Sequence, residues 1–536
     1  MALNDLEAQL ALQALSIAKG EPTLFGGVHS YVGLTGLPLF LWSKSNFLAR
    51  FWPAFIGAFI VFIPLLFENY IGRKPALLAA FALAISPEMV GLSRLIGSPM
   101  MALVFTLLSV GLWLYRKPAL AGISLALGLM SGPSFWVGVL VMGLSLFLSE
   151  RLFNFFKIFP PAPDDNPARP MWGRLGIALV LTLVVVGSGF FMAPSGLSGI
   201  FSGLYDFIRG FQQVCLVPFG WPALALLAYG AGSVGFGLWG GIRGLLLKSK
   251  LEMFLLMWAG LGLVFITLYP QGGAGEIVWV TFPLWILASR VIIFAWRLPE
   301  TSHLALGISA ALVVVIAAFI ALALRSLVAP TLPQSQQVNM LIAMAGGVVL
   351  IIAIILLINY GWSEVVALSG FLLGLGLVLL VGMVSVSVNS TGLATQMPFE
   401  LWYPDEAVLL PEWTLVTIDR ILDWNARGYK PIDILVSGID TPGLRWALRS
   451  YDRVVFEPFV SPQSSPGILI TPIGEIPENA HGYQGQSLVW QQKAPWHTLN
   501  PGDYLIWLFA REVPTVSQEL ILWVRTDLMP GGQIND

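Results

Sequence analysis

Charge is what this 536-residue sequence has least of: 11% of its residues are Asp, Glu, Lys or Arg, against about 25% in an average soluble domain. A chain this poor in charge cannot solvate a large water-facing surface. With 56% hydrophobic residues and a mean hydropathy of +0.79, lipid is the expected solvent. One cysteine, Cys215, excludes an internal disulfide and a thiolate zinc site. The four histidines (His29, His303, His481, His497) are too scattered to suggest a metal cluster. A net charge of −2 leaves no basic field for nucleic acid. A phosphate loop, a Gly-x-Ser-x-Gly elbow and a dinucleotide fingerprint are also missing from the tail.

What is present is hydrophobic length. A spanning helix needs roughly 20 mostly apolar residues, and candidates run Phe47–Phe67, Pro75–Leu92, Pro99–Tyr115, Ala119–Gly132, Phe135–Leu148 and Leu175–Met192. A second set runs Trp221–Leu246, Met253–Tyr269, Ile277–Trp296, Leu304–Leu324, Met340–Tyr360 and Val365–Val386. That predicts an α-helical polytopic membrane protein of about twelve spans. Ser131-Gly132-Pro133-Ser134 separates the fourth and fifth so briefly that the two form either a broken hairpin or separate helices.

Lys and Arg gather in alternate loops: Arg73-Lys74, Arg116-Lys117, the run from Arg151 to Arg174, then Arg243, Lys248, Lys250 and Arg297. By the positive-inside rule those loops are cytoplasmic. With an even number of spans both ends of the chain then face away from the cytoplasm. Arg290 falls inside a predicted span, where a charge usually faces a cavity or a partner, but it is close enough to the cytoplasmic end to snorkel, the favoured reading.

Three regions follow. Residues 1–46 carry an amphipathic helix over Asn4–Ala18 and an apolar stretch, Tyr31–Trp42, too short to span and suited to the interface. Ser198–Gln213 is a second interfacial element on the same face. Residues 47–388 form the transmembrane domain, and residues 389–536 form a soluble α/β domain on the non-cytoplasmic side. Strands are expected at Ile432–Ser437, Arg453–Phe456, Gly467–Thr471 and Glu519–Val524, and helices at Thr417–Arg427 and Gly443–Ser450. The tail's tryptophans either fill its core, the more frequent role, or stack on sugar rings. Arg445 and Arg449, four apart on one helix, read as surface arginines or as an anion site.

Several passages carry a resemblance. Asn4-Asp5-Leu6-Glu7-Ala8 begins a helix ending at Lys19-Gly20-Glu21. Leu48-Ala49-Arg50-Phe51-Trp52-Pro53-Ala54 opens the first span. Gly72-Arg73-Lys74-Pro75-Ala76 and Ile85-Ser86-Pro87 lead to Ser93-Arg94. In order and spacing these resemble the membrane glycosyltransferases of GT-C type that use polyprenyl-phosphate-linked sugars, the group of protein O-mannosyltransferases and lipid A aminoarabinose transferases (glycosyltransferase family 39-like). The tail segments Pro442–Tyr451, Tyr483-Gln484-Gly485 and Leu522–Leu528 are similar to the subgroup named for archaeal N-glycosylation flippase genes. The resemblance implies a plasma-membrane enzyme with an extracellular or periplasmic C-terminal domain. It would move a sugar from a polyprenyl-phosphate donor in the bilayer to an exported protein, lipid or glycan acceptor. It also implies a further helix before the acidic segment.

Such transfer needs a base for the acceptor hydroxyl and positive charge for the departing phosphate. Asp5 and Glu7 are the candidate bases, and Asn4-x-x-Glu7 is equally a helix capping box. Arg94 and Arg209 are the candidate phosphate ligands, with snorkelling the rival reading for Arg94. His29, beside Gly26-Gly27, is a loop histidine that faces the site or has no catalytic role. The sequence points to no particular cofactor and leaves a divalent metal open. Two departures from the family pattern stand out: Leu6 splits the acidic pair, and Leu95–Pro99 has no carboxylate where the family places an Asp. They favour the alternative expectation, a catalytically degenerate scaffold that binds glycolipid or a membrane-protein partner.

Overall fold

The computed structural model describes residues 2–21, 26–42, 44–158, 169–213, 220–296, 303–327, 334–391, 399–402, 408–409, 411–425, 432–461, 463–475 and 482–529. Cys215, His481 and Arg297 lie outside them.

Helix α1 (Asp5–Ala18) starts at an Asn4 cap whose side chain accepts from Glu7 N–H, and Glu7 answers on Asn4 N–H. Helix α2 (His29–Leu41) is packed into the protein along much of its length. Tyr31, Val32 and Thr35 are fully buried. Glycine permits this: a Cβ on Gly33 would stand 2.3 Å from the Val186 carbonyl, so the two backbones meet there.

The apolar helices follow the expected segments. The first is broken into α3 (Asn46–Ala58), a 3-10 turn, α4 (Ile63–Leu66) and α5 (Glu68–Ile71). Helices α6 (Arg73–Ile85) and α7 (Pro87–Ser93) meet at a 59° bend, because Pro87 has no N–H and holds Ser86 extended. Then come α8 (Met100–Leu114), α9 (Pro118–Leu129), α10 (Pro133–Phe153), α11 (Arg169–Gly187) and the short α12 (Ser202–Gly210). Gly132, at φ 90°, separates α9 from α10, so the expected fourth and fifth segments are distinct helices. The series continues with α13 (Trp221–Leu246), α14 (Lys250–Leu268), α15 (Val278–Ala295), α16 (His303–Leu327), α17 (Gln334–Gly361) and α18 (Glu364–Ser390).

Among the described residues seven helices are long and apolar enough to cross a membrane, and the bent α6–α7 pair makes an eighth when counted as one broken span. Four shorter apolar helices occupy the other expected places. The chain is a polytopic helical membrane protein with a C-terminal α/β domain. Helix α15 is its axis. Every residue from Val278 to Ser289 is buried, as expected of a helix hydrophobic all round.

Arg290 has the partner that a charge inside a span calls for: its Nε donates to Glu252 Oε1 at 3.0 Å and its Nη1 to the Ile71 carbonyl at 2.7 Å. An arginine this near the bundle core takes a carboxylate partner because an unpaired charge there is costly.

The C-terminal domain holds β1 (Val408–Leu409), α19 (Glu412–Asn425), β2 (Ile434–Ser437), α20 (Pro442–Ala447) and β3 (Val454–Glu457). It goes on with β4 (Ile468–Pro472), β5 (Tyr483–Lys493), α21 (Pro501–Ala510) and β6 (Val516–Arg525). One sheet orders them β1-β5-β6-β4-β2-β3, with β2 parallel to β3 and β4, and β6 antiparallel to β4 and β5. Strand β5 was not expected from sequence, since Tyr483–Lys493 shows no apolar alternation and four of its residues are exposed.

Five of the tail's tryptophans fill cores, though not only the domain's own. Trp490 lies within the sheet's core, whereas Trp402, Trp446, Trp496 and Trp507 join the core of the membrane helices. Trp221 donates to the Leu401 carbonyl at 3.0 Å and Trp507 to Phe399 at 2.8 Å. Tyr229, on α13, donates to buried Glu400, which also meets Arg511.

Helix α10 crosses α15 where a Cβ on Gly138 would fall 2.1 Å from the Trp279 ring. Gly138→Ala should therefore cost about 1–3 kcal/mol, read as a lower thermal midpoint in detergent. Gly143→Ala on the same helix has nothing within 4 Å and should stay within about 0.5 kcal/mol of the parent. Equal midpoints for the two variants would contradict the packing.

Candidate functional site

The first turn of α1 is where three separate stretches of chain meet. The Glu7 carboxylate accepts from Asn4 N–H and Ile96 N–H, each at 3.2 Å, and from Arg50 Nε at 3.0 Å. Arg50 Nη2 closes a second, short contact on the same carboxylate and reaches the Ala2 carbonyl at 2.9 Å. Bidentate guanidinium–carboxylate geometry of this kind is strong and orients the arginine plane. Glu7 is 1% exposed and has donors on both oxygens. It is bound in place, and what it does there is hold Arg50.

Arg50 in turn lines a groove of about 480 Å³ with Asn46, Phe47, Phe51, Ala54, Phe55 and Arg94. Positions 46/47, 50/51 and 54/55 recur every four residues, so one face of α3 forms the wall. Arg94, the C-cap of α7, reaches in from the other side and donates to the Thr391 carbonyl at 3.1 Å. An aromatic row leads away along the exposed face of α3 and on past its end into the 3-10 turn. Phe51 and Phe55 stack at 5.7 Å, Phe55 and Phe59 meet edge-on at 5.3 Å, and Phe62 follows at 6.2 Å. The groove thus has a cationic head and an apolar, aromatic runner.

The C-terminal domain sits over that head. Asp5 Oδ1 accepts from Gly443 N–H at 2.8 Å, in the first turn of α20. Asn46 Oδ1 accepts from Trp446 Nε1 at 2.8 Å and Arg449 Nη2 at 3.2 Å, and Arg449 Nε donates to the Lys44 carbonyl at 2.7 Å. Arg445 instead pairs with Asp440. Burial lowers the Arg449 pKa to about 10. Both arginines are engaged by the protein itself.

Of the expected residues, Arg94 lines the groove, Glu7 is tied to it through Arg50, Asp5 is turned to Gly443, and Arg209 is not among its lining residues. Arg209 lies in the last turn of α12, where its charge opposes the burial that raises the Asp206 pKa. The residue that sequence reasoning missed is Arg50. It stands within the Leu48–Ala54 passage, but nothing local shows that a residue 43 positions away faces it. Among the described residues no group of three or more His, Cys, Asp and Glu is placed to hold a metal ion.

His29 is buried beside α12. Ser202 Oγ lies 3.3 Å from its Nδ1, and a Cβ on Gly199 would stand 2.3 Å from its Nε2.

No protein-family model and no curated protein sequence matches the chain. Two solved structures do. ArnT from Cupriavidus metallidurans bound to undecaprenyl phosphate aligns with a TM-score of 0.54 at 14% identity, over 99% of this chain and 95% of that one. The same protein in the apo state gives 0.52, with the same identity and coverage. The fold is that of ArnT. ArnT is a GT-C glycosyltransferase, and the alignment with the ArnT fold takes in both the membrane helices and the C-terminal domain.

Within this ArnT fold two outcomes follow from the geometry. Glu7→Gln strips the counter-charge from a largely buried Arg50 and should cost about 3 kcal/mol, whereas Asp5→Asn keeps an acceptor for Gly443 N–H and should cost under about 1 kcal/mol. Thermal unfolding of the two variants distinguishes them, and equal losses would mean that Glu7 does not anchor Arg50. Burial lowers the His29 pKa from 6.5 to about 4. Between those values only the unfolded chain takes up the proton, so stability is full above pH 6.5 and falls as pH drops toward 4. His29→Gln should flatten that part of the pH dependence of the melting midpoint; an unchanged slope would refute it.

Proposed function

We propose that this protein is a plasma-membrane glycosyltransferase moving a sugar from a polyprenyl-phosphate donor to an exported protein, lipid or glycan acceptor. The observation that carries the reading is the groove on α3. Its paired arginines suit a phosphate, and the phenylalanine row beside them suits an isoprenoid chain lying along the bilayer. ArnT has been solved with undecaprenyl phosphate bound, a ligand of that chemistry. The face bearing α1 and the C-terminal domain is then the exported one, in keeping with the Lys- and Arg-rich loops at the opposite end.

In this reading Arg50 and Arg94 hold the donor phosphate and stabilise the charge that develops as the sugar leaves. Glu7 positions Arg50. Asp5, two residues earlier and held by one described hydrogen bond, is the base that accepts the acceptor hydroxyl's proton. The hydroxyl oxygen forms the new glycosidic bond as the bond to phosphate oxygen breaks, with inversion at the sugar carbon. The rival reading, a scaffold that binds glycolipid without transfer, has one observation in its favour: the Asp5 carboxylate is already engaged by Gly443.

Purified protein supplied with polyprenyl-phosphate sugars and an acceptor extract should transfer label. Asp5→Asn combined with Glu7→Gln should abolish it, and Arg94→Gln should raise the donor KM about tenfold. Full activity in the double variant would sink the assignment of the base. Saturable binding of the lipid phosphate with no transfer would establish the scaffold instead.

A further inference from the structure

The end of the bundle opposite the C-terminal domain has a charge cluster that the transfer chemistry does not use. Glu252, in the first turn of α14, takes Arg243 Nη1 at 3.4 Å and Arg290 Nε at 3.0 Å on the same oxygen. Two guanidinium groups thus share one carboxylate. The acid's side chain is 3% exposed and the arginines 21% and 25%, so the surplus positive charge faces outward. Arg73 and Lys74 follow Ile71, whose carbonyl takes Arg290 Nη1, and Lys250 Nζ is fixed on the Asn154 carbonyl. Glu68 on α5 and Glu150 on α10 are the other acids on these elements.

Directly beside this cluster lies a cavity of about 140 Å³ with an apolar lining. Three of its lining residues tie it to the cluster: Ile71 carries the carbonyl that takes Arg290 Nη1, and Leu251 and Leu255 lie within three residues of Glu252 on α14. Val110 lines the cavity and is 36% exposed, so the cavity reaches the outer surface of the helices there. Trp258 also lines it, and its buried indole N–H has no hydrogen-bond partner among the described residues. An apolar cavity of about this size does not hold water but accepts an apolar guest. The guest that joins hydrocarbon to an anionic head, with an ester carbonyl between to accept a hydrogen bond, is a phospholipid.

We propose that this is a binding site for an anionic phospholipid, with a few methylenes of one acyl chain in the cavity, the rest of the chain in the bilayer, and its phosphate on Arg243 and Arg290. The site is independent of the donor groove and stands whether or not the protein transfers sugar.

The test is native mass spectrometry of the full chain in detergent with an equimolar mixture of phosphatidylglycerol and phosphatidylcholine. Phosphatidylglycerol should be retained in preference. Arg243→Gln, which leaves the Arg290–Glu252 pair in place, should lower its retention about fivefold, the weight of one basic residue at a membrane surface, and Arg243→Lys should restore most of it. Val110→Trp, a surface change that blocks the opening, should lower retention of both lipids without moving the thermal midpoint. Equal retention of the two lipids, or retention indifferent to Arg243→Gln and Val110→Trp, overturns the proposal. Displacement of phosphatidylglycerol by equimolar undecaprenyl phosphate, lost in Arg243→Gln, overturns the choice of phospholipid as occupant.

Discussion

The Glu7 carboxylate is the constraint on which the arrangement of the site depends. It joins the start of α1, the α3 arginine and the backbone between α7 and α8, each through a hydrogen bond that a neutral side chain would make less well. A carboxylate at a helix N-terminus is favoured by the dipole, and a guanidinium close to the bilayer needs a fixed counter-charge. One group meets both requirements. Arg50 is thereby held at the head of the groove, four residues from Asn46 and four from Ala54, and so in line with the phenylalanines of the same helix face.

The C-terminal domain depends on that arrangement in turn. Its seam with the membrane helices is built largely from tryptophan, which supplies a broad apolar plate and one N–H at the same time. Trp446 and Trp507 pack into the helical core while their indoles satisfy Asn46 and the Phe399 carbonyl, and Trp221 does the same from the membrane side. The ionic group Glu400–Arg511, capped by Tyr229, lies in the same seam. The domain is thus part of the upper wall of the site, with α20 set against both Asp5 and Asn46.

Much of this was legible in the sequence because the signals are local. Twelve apolar segments match the helices because hydropathy sums over consecutive residues. The strands at Ile434, Val454, Ile468 and Val516 show β-branched runs for the same reason. Strand β5 was hidden because its exposed face is filled by glutamine and serine, which carry no alternation to read. Helix α2 was legible as a helix but not as buried, since burial came from Gly33 meeting Val186 across the fold. Arg290 was legible as a cation inside a span, but its partner was not, since Glu252 lies 38 residues away on the preceding helix.

The acidic helix and the positive loops at the other end were fixed by composition and order along the chain alone. So were the choice of lipid as solvent, the number of apolar segments and the α/β character of the tail. Which charges meet was decided only in three dimensions. Glu7 finds Arg50 43 residues on and Ile96 89 residues on, and Asp5 finds Gly443 at a separation of 438. Periodicity repeats over a few residues, whereas an ion pair depends on where whole helices cross. The tertiary structure therefore separated two neighbouring acids that the sequence presents as equals, leaving Glu7 bound to Arg50 and Asp5 under the roof of the C-terminal domain.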